Sequence, residues 1–293
     1  MTGFEPDFAP IPTWVRLLRF YSQISPVSRG KLRLAKWFFN RLTFPEQPVQ
    51  AEIAPGIFAA FDLRLWNDFA SCAVGGPEPL TLAYFHSSLH PHDQVFDIGA
   101  YIGLYALTAS HIVTGGQVHA FEPNPNSAER LQHAITTNKL TNIKFSQCAV
   151  GDRLGVVQFG LDKIPVMSRM TEVDHPAGVV EVPVDTIDAY CQRNNVKQVQ
   201  VVKIDVEGAE LLVLRGGQRL FEDVRPLIII ELHPVRSKLF GYQVSDTVQF
   251  LLDRGYHLSL IGSTMSGRPR LLPFMATPEK RQIVVARPDA GEG

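Results

Sequence analysis

Apolar and polar positions along this chain fall into three zones of different pattern. In the longest, about 93 to 288, short apolar runs alternate with stretches of helical spacing. Residues 94–98, 117–121, 143–150, 199–204 and 227–232 predict strands, and 257–261 and 282–286 predict two more. The runs at 199–204 and 227–232 are so apolar that both faces must be covered, as in a parallel sheet. Residues 103–112, 126–138, 186–194 and 245–254 predict helices, the second capped by Asn126 or Ser127, and another starts at 209–215. Residues 156–159 and 179–184 predict an extra hairpin. The stretch joining the last two strands, with Gly262, Gly267, Pro269 and Pro273, is too long for a tight turn. Repeating strand-helix units of this kind build an α/β fold, a mostly parallel sheet with helices on both faces.

The other two zones are expected to be separate units ahead of a main domain at 91–288. Residues 51–90 predict two short strands and a helix, with 57–63 turning back on itself near its centre and Leu82, Phe85 and Leu89 on one helix face. Residues 1–50 predict a helical extension broken around Pro26 to Gly30. Between Trp14 and Phe44 there are seven basic residues and no acidic one, interleaved with Trp14, Leu17, Phe20, Tyr21, Trp37 and Phe38. Two readings stand: helices packed on the main domain with basic faces in water, or a peripheral contact of residues 14–44 with an anionic membrane or acidic partner.

Bulk properties narrow the field only slightly. A net charge of −1 gives no reason to expect a nucleic-acid partner. Cys72, Cys148 and Cys191 match no metal or disulfide pattern, so a reducing, cytoplasmic setting is expected. The opening MTGFEPDFAP lacks the features of a signal peptide, and no run approaches the roughly 20 apolar residues of a spanning helix. The expectation is a soluble or at most peripheral protein.

The candidate chemistry lies at strand ends. Val95-Phe96-Asp97-Ile98-Gly99-Ala100-Tyr101-Ile102-Gly103 reads as a buried strand running through a glycine turn into a helix, and Glu122 ends the next strand. A glycine turn with an acid one strand later holds an adenosine-type cofactor: the glycines admit the ligand to the backbone, and the acid accepts from the ribose hydroxyls. Dinucleotide sites want a third glycine around a pyrophosphate. Here Asp97 places a negative charge instead, which suits the cationic S-adenosyl-L-methionine. The expected cofactor residues are Asp97, Gly99, Ala100, Gly103, Glu122, Ala149, Asp152 and Asp205, with Ala149 and Asp152 placed by position beside the adenine.

The fourth strand ends in Asp205-Val206-Glu207-Gly208-Ala209-Glu210. Clustered acids raise one another's pKa values or recruit a cation, while the plain alternative is helix capping, with Asp205 as N-cap. In the fifth strand Glu231 interrupts a buried run, and His233 sits near the crevice where a proton acceptor is wanted. A divalent cation on Asp205, Glu207 and Glu231 has no supporting spacing, and no metal is assigned.

Three blocks, VFDIGAYIGLYAL, AFEPNP and VKIDVEGAELLVLRG, supported by IIIELHP and PVDTIDAY, resemble the FkbM-family methyltransferases over about residues 60 to 287. Tyr101 stands where that family usually has Asn. The resemblance implies a class I, Rossmann-like sheet of seven strands with the last antiparallel. It also implies mostly O-methylation, with hydroxyl acceptors on sugars, glycolipid or polysaccharide units, or natural products. Exocyclic-amine methyltransferases usually present Asn/Asp-Pro-Pro-aromatic where this chain has Asp205-Val206-Glu207-Gly208, which argues against nucleobase amines. A small-molecule or glycan hydroxyl must lose a proton, and the candidate catalytic residues are His233, Asp205 and Glu207. Two alternatives compete: a non-catalytic binding module on the same fold, and an NAD-dependent oxidoreductase, which the missing third glycine opposes.

Overall fold

The computed structural model describes residues 7–24, 30–160, 165–166, 179–264 and 267–289. Two helices come first, α1 (Thr13–Ile24) and α2 (Lys31–Phe39). The hairpin β1 (Val49–Ala54) and β2 (Ile57–Phe61) follows. Its turn falls at Pro55-Gly56 rather than inside 57–63, because Gly56 supplies the φ of 74° that the reversal requires. Helices α3 (Trp66–Val74) and α4 (Pro79–Ser87) complete this region, where the pattern predicted one helix. Every residue of α3 from Asp68 to Val74 is buried, so that even its polar Asp68 and Ser71 lie inside the fold.

The main body runs β3 (Gln94–Ile98), α5 (Leu104–Ile112), β4 (Gln117–Phe121), α6 (Pro125–Thr137), β5 (Ile143–Ser146) and β6 (Ala149–Val150). It continues with β7 (Gly155–Gly160), β8 (Pro165–Val166), β9 (Val179–Asp185), α7 (Ile187–Asn194), β10 (Val201–Ile204), α8 (Glu210–Gly216) and β11 (Leu227–Leu232). It ends with α9 (Val244–Leu252), β12 (Tyr256–Ser263), β13 (Pro269–Pro273) and β14 (Gln282–Pro288). The expected extra hairpin is present as the antiparallel pair β7 and β9. Helix α6 is capped by Asn124 rather than Asn126 or Ser127: its side chain accepts from the amides of both, and Pro125 occupies the first turn.

The large sheet has the order β13-β12-β14-β11-β10-β3-β4-β5. Strands β5, β4, β3, β10 and β11 run parallel, and the last strand, β14, is antiparallel to β11 as expected. Among the described residues the sheet has eight strands rather than seven. The stretch after β12 supplies β13, which pairs antiparallel on the outer edge of β12. Its prolines at 269 and 273 sit at the strand ends, where a missing donor is tolerated on an edge.

Side chains alternate between two cores across this sheet. Val95, Val118, Val201 and Ile229 point into one, toward α3 and α5, while Phe96, Phe121, Val202 and Ile230 point into the other, toward α7, α8 and α9. Val15, Leu18 and Ala35 of the N-terminal helices are buried in the first of these cores. Trp14 stacks with Phe38 and packs on Phe69 of α3. In register, Lys203 lies opposite Asp97 and Ile204 opposite Ile98. The carboxyl ends of β3 and β10 therefore open side by side.

Candidate active site

The turn after β3 is held from two sides. The amides of Gly99 and Ala100 both donate to the Phe121 carbonyl, at 2.9 Å each, and the amide of Asp205 donates to the Ile98 carbonyl at 2.9 Å. Gly99 has φ 84°, and a β-carbon there would meet the Asp205 carbonyl oxygen at 1.9 Å. Glycine is required twice over, by conformation and by space. Glu122 is 6% exposed and grips the same turn, its carboxylate accepting from the Tyr101 amide at 2.7 Å and the Asn124 amide at 2.9 Å.

Tyr101 has a structural partner. Its hydroxyl donates to Asp68 of α3 at 2.6 Å, and Asp68 also accepts from the Asp62 amide and pairs with Arg130. The Tyr101 side chain thus ties the turn to α3, with φ 53° at its own backbone.

A cleft of about 310 Å³ opens beyond these strand ends. Gly99, Ala100 and Glu122 line one part, Ala149 to Asp152 another, and Asp205, Glu207 and Glu231 a third. Of the residues singled out from sequence, Asp97, Gly103 and His233 stand outside its walls. Asp97 is buried and accepts from the Ala106 amide at 2.9 Å, which secures the start of α5. Burial pushes its pKa up to about 7 against the pull of Lys203. Gly103, at φ 89°, lets the chain turn into α5 against Leu131.

Asp205 does not cap a helix: α8 begins later, and Glu210 in its first turn accepts from the Gly208 amide at 2.8 Å. Asp205 belongs to a buried ionic cluster instead. Lys203 Nζ lies 3.5 Å from it, almost fully buried. Burial raises the pKa of Asp205, but Lys203, a hydrogen bond from Glu231 and the His233 charge outweigh it and hold the carboxyl below its ordinary value. Burial, then the charges of Asp205 and Glu78, push Glu231 up to about 8. The pair therefore shares a proton at neutral pH, carried on Glu231. Arg281 bonds to Glu231 and reaches Glu78 at 2.6 Å.

His233 is buried behind this cluster. Its Nδ1 lies 2.8 Å from Glu210 and its Nε2 3.2 Å from Glu207, with Glu231 at 4.0 Å. Desolvation works against its charge, but the Glu210 bond and the surrounding carboxylates raise its pKa. Glu207, at φ 57°, lines the cleft and pairs with Arg236. One oxygen or nitrogen from each of Asp205, Glu231 and His233 lies within 4.8 Å of the others, a spacing open to a metal ion. That trio replaces the Asp205, Glu207 and Glu231 set considered from sequence. Two of its three members already face a cation, Lys203 or Arg281.

Lys203, Arg281 and Glu78 escaped the sequence reading. Lys203 carried the same signal as Glu231, a charge inside an apolar strand that demands a partner. Arg281 and Glu78 carried none, because they reach the site from 203 residues apart.

Residues 97–258 match the family described as the methyltransferase FkbM domain. This chain belongs to the FkbM methyltransferase family. A hexuronic acid methyltransferase, AglP of Haloferax volcanii, is 30% identical over 201 residues, covering 69% of this chain and 81% of that protein. The 31-O-demethyl-FK506 methyltransferase FkbM of Streptomyces tacrolimicus is 41% identical over 68 residues, 23% of this chain and 26% of that protein. Among solved structures, methyltransferase FkbM from Methylobacillus flagellatus superimposes with a TM-score of 0.47 at 17% identity, over 88% of this chain and 59% of that one. The protein is a methyltransferase with an α/β fold, and none of its described helices is long and apolar enough to cross a membrane.

Proposed function

We propose that this FkbM methyltransferase transfers a methyl group from S-adenosyl-L-methionine to an oxygen of a glycan or small-molecule acceptor, with Asp205 as the proton acceptor. The observation that carries this reading is the cleft itself. It joins the Gly99 turn and Glu122 at one end to the carboxylates of Asp205 and Glu231 at the other. The Haloferax volcanii relative, named for hexuronic acid, supports a sugar as acceptor class.

The residues fit the cofactor. Gly99 and Ala100 leave room along the backbone, Glu122 is held at the cleft wall by two amides, and Ala149 to Asp152 form the wall where adenine would lie. When bound, S-adenosyl-L-methionine supplies a methyl group made electrophilic by a sulfonium. The protein aligns the acceptor oxygen and keeps water out, which converts an encounter into a positioned displacement. Asp205 is half-buried, faces the cleft and stays ionised, so it accepts the acceptor's hydroxyl proton as the new bond forms. Glu231 donates to Asp205 and fixes its orientation. His233, behind them and engaged by Glu210, holds the carboxylates in place and does not reach the cleft.

Calorimetric titration of the purified chain with S-adenosyl-L-methionine, S-adenosylhomocysteine and NAD tests the cofactor. Binding of the first two without NAD is expected, followed by labelled-methyl transfer to hydroxylated sugars and uronic acids. NAD binding alone would point to the oxidoreductase reading, and no binding at all to a non-catalytic module.

A further inference from the structure

Helix α1 is apolar on two opposite sides. Val15 and Leu18 point into the core, while Leu17, Phe20, Tyr21 and Ile24 point outward. Those four follow the i, i+3, i+4, i+7 spacing of a packed helix face, yet Leu17 is 64%, Phe20 60% and Ile24 62% exposed. Helix α2 adds Leu34 and Trp37, the latter 50% exposed. Burying such a stripe is worth roughly 25 cal/mol per Å² of apolar surface, so it is normally covered, and a contiguous exposed apolar face marks an interaction site.

The charge around the stripe identifies what covers it. Arg16, Arg33 and Lys36 are exposed on the same two helices and Arg41 just past the end of α2, and no acidic residue occurs between Trp14 and Phe44. Two of the cations flank aromatic rings, with Arg41 at 4.7 Å over Trp37 and Lys36 at 4.2 Å over Trp66. Arg19 and Lys31, by contrast, are engaged inward, on the carbonyls of Cys72, Glu52 and Ser22. An amphipathic helix with an apolar face, interfacial aromatics and flanking cations is the arrangement that lies in the plane of an anionic bilayer surface.

We propose that the outer face of α1 and α2 docks this enzyme on membranes bearing anionic phospholipid, with Leu17, Phe20, Ile24 and Trp37 entering the headgroup boundary and Arg16, Arg33, Lys36 and Arg41 pairing with lipid phosphates. Both helices pack on α3, and Asn67 and Ser71 of α3 line the cleft. Docking therefore brings a bilayer to within one helix layer of the cleft. This surface does not depend on the methyl-transfer reading.

The test is co-sedimentation of the full chain with phosphatidylcholine vesicles, with and without phosphatidylglycerol. The expected result is partition onto the anionic vesicles only, weakening as salt rises. The triple variant Leu17→Gln, Phe20→Gln, Ile24→Gln should partition at least about tenfold less while melting at an unchanged temperature. Arg33→Gln with Lys36→Gln should lose roughly 20–30-fold, since each cation near an anionic surface contributes about fivefold. No partition at low salt, equal partition onto neutral vesicles, or undiminished partition of the triple variant each overturns the proposal. So does light scattering that finds a dimer which the triple variant dissociates, for that would make the face a contact between copies of this chain.

Discussion

The backbone of Gly99 touches the backbone of Asp205: a side chain at 99 would begin 1.9 Å from the Asp205 carbonyl oxygen. The glycine turn after β3 and the proposed base are thereby locked to each other across adjacent strands. Gly99→Ala must either break the left-handed φ of 84° or push β10 away. It should cost about 2–5 kcal/mol, from αL strain and overpacking together. Chemical denaturation checks it, and a loss below about 1 kcal/mol would show that the two strand ends are free to separate.

Replacing Asp205 by Asn keeps the shape and removes the proton acceptor. Turnover should fall roughly 10²–10⁴-fold while cofactor affinity changes little. Steady-state kinetics beside calorimetry separate the two effects. Near-normal turnover would return Glu207 to candidacy, since it also lines the cleft.

Glu122 tests the other end. Glu122→Ala should weaken S-adenosyl-L-methionine binding by about 1–3 kcal/mol, the scale of lost charge-assisted hydrogen bonds. Glu122→Gln, which keeps an acceptor for the Tyr101 amide, separates loss of ribose contact from collapse of the turn. Full affinity in both variants would remove the ribose role.

The Asp205–Glu231 pair makes stability pH-dependent. Glu231 holds its proton up to about pH 8 in the folded chain, against an ordinary value of 4.5. Its stabilising contribution is complete below 4.5 and is lost as pH rises through 8. Asp97, at about 7, acts in the same direction, whereas Asp205, shifted downward, matters only in acid. Melting temperature should therefore fall between about pH 5 and 8.5, and Glu231→Gln should flatten that decline. An unchanged slope in the variant would place the proton elsewhere.

Lys203 and Arg281 already contact two members of the trio that could coordinate a metal. Turnover should survive EDTA, and Lys203→Met should destabilise the fold by about 3–5 kcal/mol through an uncompensated buried charge. Abolition by EDTA with recovery on adding Mn²⁺ or Mg²⁺ would show instead that Asp205, Glu231 and His233 hold a cation.

The antiparallel last strand came only from the family resemblance, while the chain's own pattern determined the alternation of strands and helices, the Gly99 turn and the acid at 122. Each is written in residues that lie close together, where period, glycine and charge act locally. It did not determine the second helix before the main sheet, because α3 is short and its polar Asp68 and Ser71 are buried with its apolar residues. Nor did it show β13, since an edge strand ending in prolines reads as a loop. His233 stood out as a candidate base because histidine titrates near neutrality, but the tertiary structure places it behind the cleft, between Glu207 and Glu210. The ionic cluster was likewise beyond the sequence. Glu78 and Arg281 meet only because α4 and β14 pack beside the carboxyl end of β11, and the proton shared by Asp205 and Glu231 arises from a burial that no local spacing encodes.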